Sequence, residues 1–250
     1  MATPQGLVLY RGPSLIGHGN VVAIVVGFRR PSRNSKTGPM LQCYILPDRD
    51  SPLAALQGNR NQAACGRCAL QGRYDAARGR MVDRVCYVNV GHAPEGIWSA
   101  LKRRQYPRYC AARHRHLFAG SDIRIGAYGD PAALPVPLVR WLSAVGRSWT
   151  GYSHQLFWID QRRAAALSRY LMASCHTPAQ HGEALRRGWR AFTVVPHGSA
   201  PPDGAVECPH YSHGVTCQDC GMCRGTSLAA RSVWVRAHAK TGLNLHANPQ

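Results

Sequence analysis

Residues 123–155 have the sequence IRIGAYGDPAALPVPLVRWLSAVGRSWTGYSHQ, and this stretch decides the fold. The apolar residues of IRIGAYG predict a strand over 123–129, and the segment that begins near Pro135 or Pro137 predicts a helix. A second strand is predicted over 148–155. A strand, a helix and a strand in this order form a right-handed βαβ unit, so we expect the two strands to lie in one parallel sheet.

The same alternation continues on both sides of this stretch. Further strands are predicted at 41–46, 85–90, 170–176 and 189–196, and further helices at 94–104, 161–169 and 177–188. About six such strands predict an α/β protein with a parallel (β/α) barrel or partial barrel, and an open doubly wound sheet is the alternative. Polar residues end several of the strands, as they do where barrels assemble their sites, and this favours the barrel.

Composition shifts divide the chain into three parts. Residues 1–39 contain apolar strand-like runs and a basic loop, residues 40–196 form the (β/α) core, and residues 197–250 form a cysteine-rich metal-binding segment with a final strand at 232–238. The linker HGSAPPDG, at residues 197–204, separates the last two parts.

The charge balance points to a polyanionic partner. The 250 residues include 31 Lys and Arg against 12 Asp and Glu, a formal net charge of +19. A surface this basic predicts a polyanionic partner, either nucleic acid or an anionic membrane. No apolar run approaches the ~20 residues that a spanning helix needs, and the N-terminus lacks the layout of a signal peptide. We therefore expect no membrane association and a place in a reducing cytoplasm, where the ten cysteines are better explained by metal ligation or chemistry than by disulfides.

The strongest motif is a set of four cysteines within sixteen residues, Cys208, Cys217, Cys220 and Cys223. Four thiolates at such spacing are typical of a structural zinc site, with an iron–sulfur cluster as the alternative. The nearby His210, His213 and His238 are possible substitutes for one sulfur.

A second and looser set contains Cys65, Cys68 and Cys86. They could hold zinc or a cluster, with Cys43, His92 or an open position completing the set. Three thiolates with one open position are the ligand set of a catalytic metal or of a radical-generating iron–sulfur cluster. An ordinary pair of thiols beside a buried cysteine is the alternative interpretation.

One carboxylate stands apart from the others. Asp130 ends an apolar strand between Gly129 and Pro131, where it either faces a site above the sheet or caps the next turn. Other polar or aromatic groups lie at or near the ends of this strand and the next two: Tyr128, Tyr152, His154, Gln155, Ser174 and His176. If the strands are adjacent, these groups surround Asp130 and are suited to bind a planar heterocycle.

Several segments carry a family resemblance that covers roughly residues 40–240. They are CGRC (65–68), CYVNVG (86–91), RIGAYGDPAALP (124–135), TGYSHQ (150–155), LMASCHT (171–177), GWRAF (188–192) and the terminal cysteine set. Together they resemble short proteins of double-stranded DNA bacteriophages that are similar to the DNA deazapurine transglycosylases (DpdA-type), distant relatives of tRNA-guanine transglycosylase. In that superfamily the zinc motif is C-x-C-x2-C with a distant His, whereas here it is C-x8-C-x2-C-x2-C.

The resemblance implies a (β/α) barrel, a structural zinc and an aspartate nucleophile. It implies an enzyme that exchanges guanine in double-stranded DNA for a 7-deazaguanine base such as 7-cyano-7-deazaguanine, with Asp130 as the nucleophile. Two other function classes remain open: an iron–sulfur or radical-type enzyme acting on nucleic acid through Cys65, Cys68 and Cys86, and a non-catalytic zinc protein that binds nucleic acid.

Overall fold

The structure is a computed structural model that describes residues 2–237. Its strands are β1 (Gly6–Pro13), β2 (Asn20–Val26), β3 (Leu41–Pro47), β4 (Arg73–Asp75), β5 (Arg80–Val82), β6 (Asp122–Tyr128), β7 (Ser148–Ser153), β8 (Met172–Cys175), β9 (Ala191–Val195), β10 (Val206–Glu207) and β11 (Val233–Arg236).

The α-helices of the described residues are short. They are α1 (Pro52–Gln57), α2 (Gln62–Cys65), α3 (Ala93–Lys102), α4 (Ala111–His114), α5 (Val136–Val145), α6 (Gln161–Ser168), α7 (Pro178–Arg186), α8 (Pro209–His213) and α9 (Cys217–Cys220). Four 3-10 helices cover Ala69–Gln71, Arg115–Phe118, Pro131–Ala133 and Gly225–Ser227.

Within residues 2–237, nine strands form one sheet in the order β1-β2-β3-β6-β7-β8-β9-β11-β10, and β4 pairs with β5 in a separate hairpin. The β1-β2 and β2-β3 pairs are antiparallel, and every later pair in the large sheet is parallel. The prediction of an α/β fold with a parallel sheet is therefore confirmed. Among residues 2–237, β1 and β10 are the two end strands of the sheet and do not pair with each other, so a closed barrel is not observed.

One face of the sheet packs against α5, α6 and α7. Ile123 and Ile125 of β6 lie in the same core as Leu142 of α5 and Leu167 of α6, and all four are fully buried. Burying a side chain of this size contributes about 1.5–3 kcal/mol. Because side chains alternate along a strand, Arg124 points to the opposite face, away from these helices.

The helix boundaries follow from local caps. Thr177 accepts a hydrogen bond from the backbone N–H of Gln180 at the start of α7, with Pro178 in the first turn, as its sequence predicts. Asp160 accepts from the N–H groups of Arg162 and Arg163 at the start of α6. No helix among residues 2–237 has the length and apolar content needed to cross a membrane.

The strand predicted at residues 85–90 is wrong. The backbone N–H groups of Val85 and Cys86 both donate to the carbonyl of Leu70, at 3.1 and 2.8 Å, so this segment follows the Cys65–Cys68 region instead of joining the sheet. Its apolar residues are explained by packing, since Val85 and Leu70 share a core cluster with Met172 and Phe192. The final strand, predicted at 232–238, spans Val233–Arg236; His238 and the residues after it lie outside the described residues.

Candidate functional site

A cavity of about 570 Å³ lies on the face of the sheet opposite α5, α6 and α7. Strands β3, β6, β7 and β9 contribute Gln42 with Tyr44, Arg124, Tyr152 and Phe192 to its lining. Segments around residues 34–37, 87–94 and 208–223 contribute the rest. A volume of this size is in the range of small-molecule sites.

An arginine and three aromatic rings pack together in this cavity. The guanidinium of Arg124 lies over the ring of Tyr152, 4.1 Å from its centroid, and its Nη2 donates to the hydroxyl of Tyr87 at 3.3 Å. The hydroxyls of Tyr87 and Tyr152 are 2.6 Å apart. Tyr152 also stacks on Phe192, with ring centroids 4.6 Å apart. The cavity is therefore both aromatic and cationic.

A smaller cavity of about 70 Å³ adjoins it at the carboxyl ends of β6 and β7. Cys65, Cys68 and Cys86 all line this cavity, together with Asp130 and His154. Burial raises the pKa of the Cys65 and Cys68 thiols, the nearby Cys86 raises both further, and Cys65 also raises that of Cys68. The structure thus brings together the three cysteines and the carboxylate that the sequence analysis selected separately.

Gln155 and Tyr128, which the sequence predicts to bind substrate, also connect to the turn that carries Cys65 and Cys68, Gln155 directly and Tyr128 through Asn61. Gln155 donates from Nε2 to the carbonyl of Cys65 at 3.0 Å, and its Oε1 accepts from the N–H of Arg67 at 2.9 Å. Tyr128 donates to Asn61, whose amide nitrogen donates to the sulfur of Cys65 at 3.0 Å. These contacts position the Cys65–Cys68 turn over the end of the sheet.

Asp130 is 4% exposed and holds two loops together through its carboxylate. Its Oδ1 accepts from the N–H of Ala132 at 2.9 Å and from the hydroxyl of Ser153 at 2.7 Å, while Oδ2 accepts from the N–H of His154 at 2.7 Å. Burial raises the pKa of Asp130 to about 6, although these hydrogen bonds oppose the rise. Asp130 therefore both caps the turn that follows β6 and contacts the end of β7.

The polar residues at the ends of β7 and β8 also meet. The rings of His154 and His176 stack with centroids 5.2 Å apart, and neither Nδ1 has a hydrogen-bond partner among the described residues. Burial lowers the pKa of both, that of His176 to about 4, so both rings are neutral at pH 7. Ser174 is buried on the same strand as His176, and its hydroxyl has no partner among residues 2–237.

The four C-terminal cysteines surround a third, narrow cavity. Cys208, Cys217, Cys220 and Cys223 all line it, with Thr150 of β7 at one side. Burial raises the pKa of Cys217, Cys220 and Cys223, that of Cys223 to about 12, and the neighbouring thiols add to each rise. His210 lines the cavity as well, whereas His213 bonds to Ser212.

The cysteines of each set line a common cavity, but this does not by itself place their sulfur atoms around one ion. Within residues 2–237, no group of three or more His, Cys, Asp or Glu side chains is arranged to hold a single metal ion. One tetrahedral ion needs its sulfurs at about 2.3 Å from a common centre. The donor chemistry of both cysteine sets still suits a thiophilic metal.

Sequence reasoning missed several residues of the larger cavity. Arg124 was visible as a charged residue within the apolar run IRIGAY, a signal that a strand face carries a function. Tyr87 lies in a segment that was assigned to a strand. Lys36 lies in the basic loop 29–39, and its ammonium is 4.6 Å from the centroid of the Tyr211 ring, a contact between residues 175 positions apart that no local pattern predicts.

Comparison of the chain with protein-family models, with curated proteins and with solved structures gives no match.

Proposed function

We propose that the protein is an iron–sulfur enzyme that acts on nucleic acid, with Cys65, Cys68 and Cys86 as the cluster ligands. The observation that carries this proposal is that these three thiols line one small cavity at the carboxyl ends of parallel strands, beside a cavity large enough for a substrate. Three cysteine ligands leave one position open for an exogenous ligand.

The ligand type and the place of these residues support a cluster. All three candidate ligands are thiols that line one cavity, and cysteine thiolates are the ligands of iron–sulfur clusters. Strands β3, β6, β7, β8, β9 and β11 follow one another in chain order across the sheet, and each neighbouring pair is parallel. This order supports the proposal of a partial (β/α) barrel, in which such a site lies at the mouth formed by the strand ends.

When bound, a cluster of this kind supplies one-electron chemistry. The protein's own residues position the cluster ligands and attract the nucleic acid. Asn61 and Gln155 position Cys65 and its loop, and the buried Asp130 joins the end of β6 to that of β7 beneath the same cavity. The net charge of +19 supplies non-specific affinity for a nucleic acid.

The test is metal analysis of anaerobically purified protein, with the triple variant C65A/C68A/C86A and the control C110A, which removes a cysteine outside both sets. Wild type and C110A are expected to contain iron and sulfide and to absorb around ~400 nm. The triple variant is expected to lose that iron. Iron content that is equal in wild type and triple variant, or zinc as the only metal, would contradict the proposal.

Nucleic acid as the substrate is tested separately, by nucleoside mass spectrometry of DNA and RNA from cells that express wild type or the triple variant. A modified nucleoside that depends on the three cysteines is expected. Identical nucleoside profiles would remove nucleic acid as the substrate.

A second candidate is the exchange of guanine in DNA for a 7-deazaguanine base, with Asp130 as nucleophile. It is favoured by the position of Asp130, which lines the small cavity with Tyr152 and His154. In this reaction the carboxylate attacks the sugar C1′ as guanine leaves, and the incoming base then displaces the carboxylate. The flipped nucleotide would have to reach a carboxylate that already accepts three hydrogen bonds.

The two candidates differ in what each needs. Base exchange requires a deazaguanine precursor and Asp130 but no iron, so incorporation of 7-cyano-7-deazaguanine by the triple cysteine variant favours it. In this candidate the C-terminal cysteines hold a structural zinc, which zinc analysis of a C208A/C217A variant would test. Incorporation that persists in D130N would eliminate Asp130 as the nucleophile.

A further inference from the structure

Arg124 is a buried cation without a carboxylate partner. Its residue is 3% exposed, and none of the ion pairs formed among residues 2–237 includes it. Its polar contact is the 3.3 Å hydrogen bond to the hydroxyl of Tyr87, with the ring of Tyr152 below it. Guanidinium stays charged at all physiological pH values, and burying an uncompensated charge is costly. An anion that enters the cavity would offset this cost.

The larger cavity carries a second cation and no acid. Lys36 lines it, half-buried, and its ammonium lies 4.6 Å from the ring centroid of Tyr211, 5.7 Å from that of Tyr87 and 5.9 Å from that of Phe192. Among the described residues that line the cavity there is no Asp or Glu. Two cations without an acid in a concave site favour an anionic ligand.

The rest of the lining suits a planar group. Tyr44, Tyr87, Tyr152, Phe192 and Tyr211 present aromatic rings to one cavity of about 570 Å³. Rings of this kind stack on nucleobases, and arginine recognises phosphate through its planar fork of N–H donors. A ligand that is both planar and anionic uses both features at once.

We propose that the cavity around Arg124 and Lys36 binds one nucleotide, with the phosphate at the two cations and the base against the aromatic rings. This inference rests on the proposed function, because it names the unit of nucleic acid that the enzyme takes. The phosphate belongs either to a free mononucleotide or to one residue of a single strand, and the chemistry of recognition is the same.

The test is calorimetric titration of the full chain with dGMP, deoxyguanosine, inorganic phosphate and a single-stranded pentanucleotide. The variants are R124Q and K36Q, and the matched control is K102Q, since Lys102 also lies over an aromatic ring, that of Trp98, but outside the cavity. Wild type and K102Q are expected to bind dGMP at least about tenfold more tightly than deoxyguanosine. R124Q and K36Q are expected to lose most of that difference between the affinities for dGMP and for deoxyguanosine.

Equal affinity of wild type for dGMP and deoxyguanosine would overturn the proposal. The proposal would also be overturned if R124Q bound dGMP as wild type does and contained less metal. Arg124 would then serve as the counter-charge of the thiolates of Cys217 and Cys223, which line the same cavity. If R124Q fails to fold, K36Q decides, since Lys36 is half-buried and lies in a loop. Pentanucleotide binding tighter than that of dGMP identifies a strand as the source of the phosphate, and the reverse identifies a free mononucleotide.

Iron measured on the same samples separates the two proposals. Iron present without preferential nucleotide binding overturns the nucleotide pocket alone. Nucleotide binding without iron overturns the cluster alone.

Discussion

Replacing Asp130 by alanine should destabilise the fold, whatever its effect on activity. The change removes the acceptor for three donors at once: the N–H groups of Ala132 and His154 and the hydroxyl of Ser153. A buried donor left without an acceptor costs about 1–3 kcal/mol. We expect the free energy of unfolding of D130A to fall by about 3–9 kcal/mol at pH 7, a large share of the ~5–15 kcal/mol that stabilises a typical domain.

The variant D130N should be affected less. Its amide oxygen replaces Oδ1 and keeps the hydrogen bonds from Ala132 and Ser153, whereas its NH₂ group faces the N–H of His154 and cannot accept. One lost hydrogen bond predicts a decrease of about 1–3 kcal/mol. A nucleophile role alone would make both variants inactive without this graded loss of stability.

The pH dependence gives an independent check. The pKa of Asp130 is about 6 in the folded chain against 3.8 when it is unperturbed, so between these values the folded state binds more protons than the unfolded state. The free energy of unfolding therefore falls by roughly 3 kcal/mol as the pH rises from 4 to 6. The difference between wild type and D130N isolates this contribution, because other titrating groups cancel.

Urea unfolding followed by circular dichroism measures these differences. The control is D160A, which removes an exposed helix cap and should cost about 1 kcal/mol. Two results would refute the role of Asp130 in holding the two loops together. One is a free energy of unfolding for D130A within about 1 kcal/mol of wild type at pH 7, and the other is parallel pH profiles for wild type and D130N.

Three further predictions concern other parts of the molecule. Burial lowers the pKa of His176 to about 4, so the free energy of unfolding should rise by roughly 3 kcal/mol as the pH increases from 4 to 6.5. Urea unfolding of H176Q should lack this rise, and parallel pH profiles for wild type and H176Q would contradict the prediction. G129A should lower the melting temperature far more than G120A. Both glycines have positive φ, but a Cβ at Gly129 would lie 2.2 Å from the carbonyl oxygen of Ile45, while nothing lies within 4 Å of a Cβ at Gly120. Equal decreases in melting temperature would refute this reasoning. Duplex DNA binding should weaken steeply with salt in filter-binding assays, since the net charge is +19, and a flat dependence would exclude an electrostatic interface.

Local sequence signals predicted most of the core elements. The strands at 41–46, 123–129, 148–155, 170–176 and 189–196 all appear, because apolar residues at these positions are buried on both faces of a parallel sheet. The strand at 85–90 was wrong because an apolar run that packs in a loop over Leu70 has the same local composition as a strand. Composition does not distinguish a packed loop from a strand, because the difference lies in which segment the residues pair with and not in the residues themselves.

The candidate site required more than local signals. The sequence by itself determined the α/β class, the donor types of the two cysteine sets and the positive charge of the chain. Only the tertiary structure decided that Cys65, Cys68 and Cys86 share a cavity with Asp130, that the Asp130 carboxylate is occupied by loop donors, and that Arg124 and Lys36 meet in one pocket. The physical reason is that parallel pairing joins residues of β6 and β7 that are 26 positions apart, and the fold brings Lys36 and Tyr211 together across 175 positions. Register and packing decide these contacts, and no local pattern encodes them.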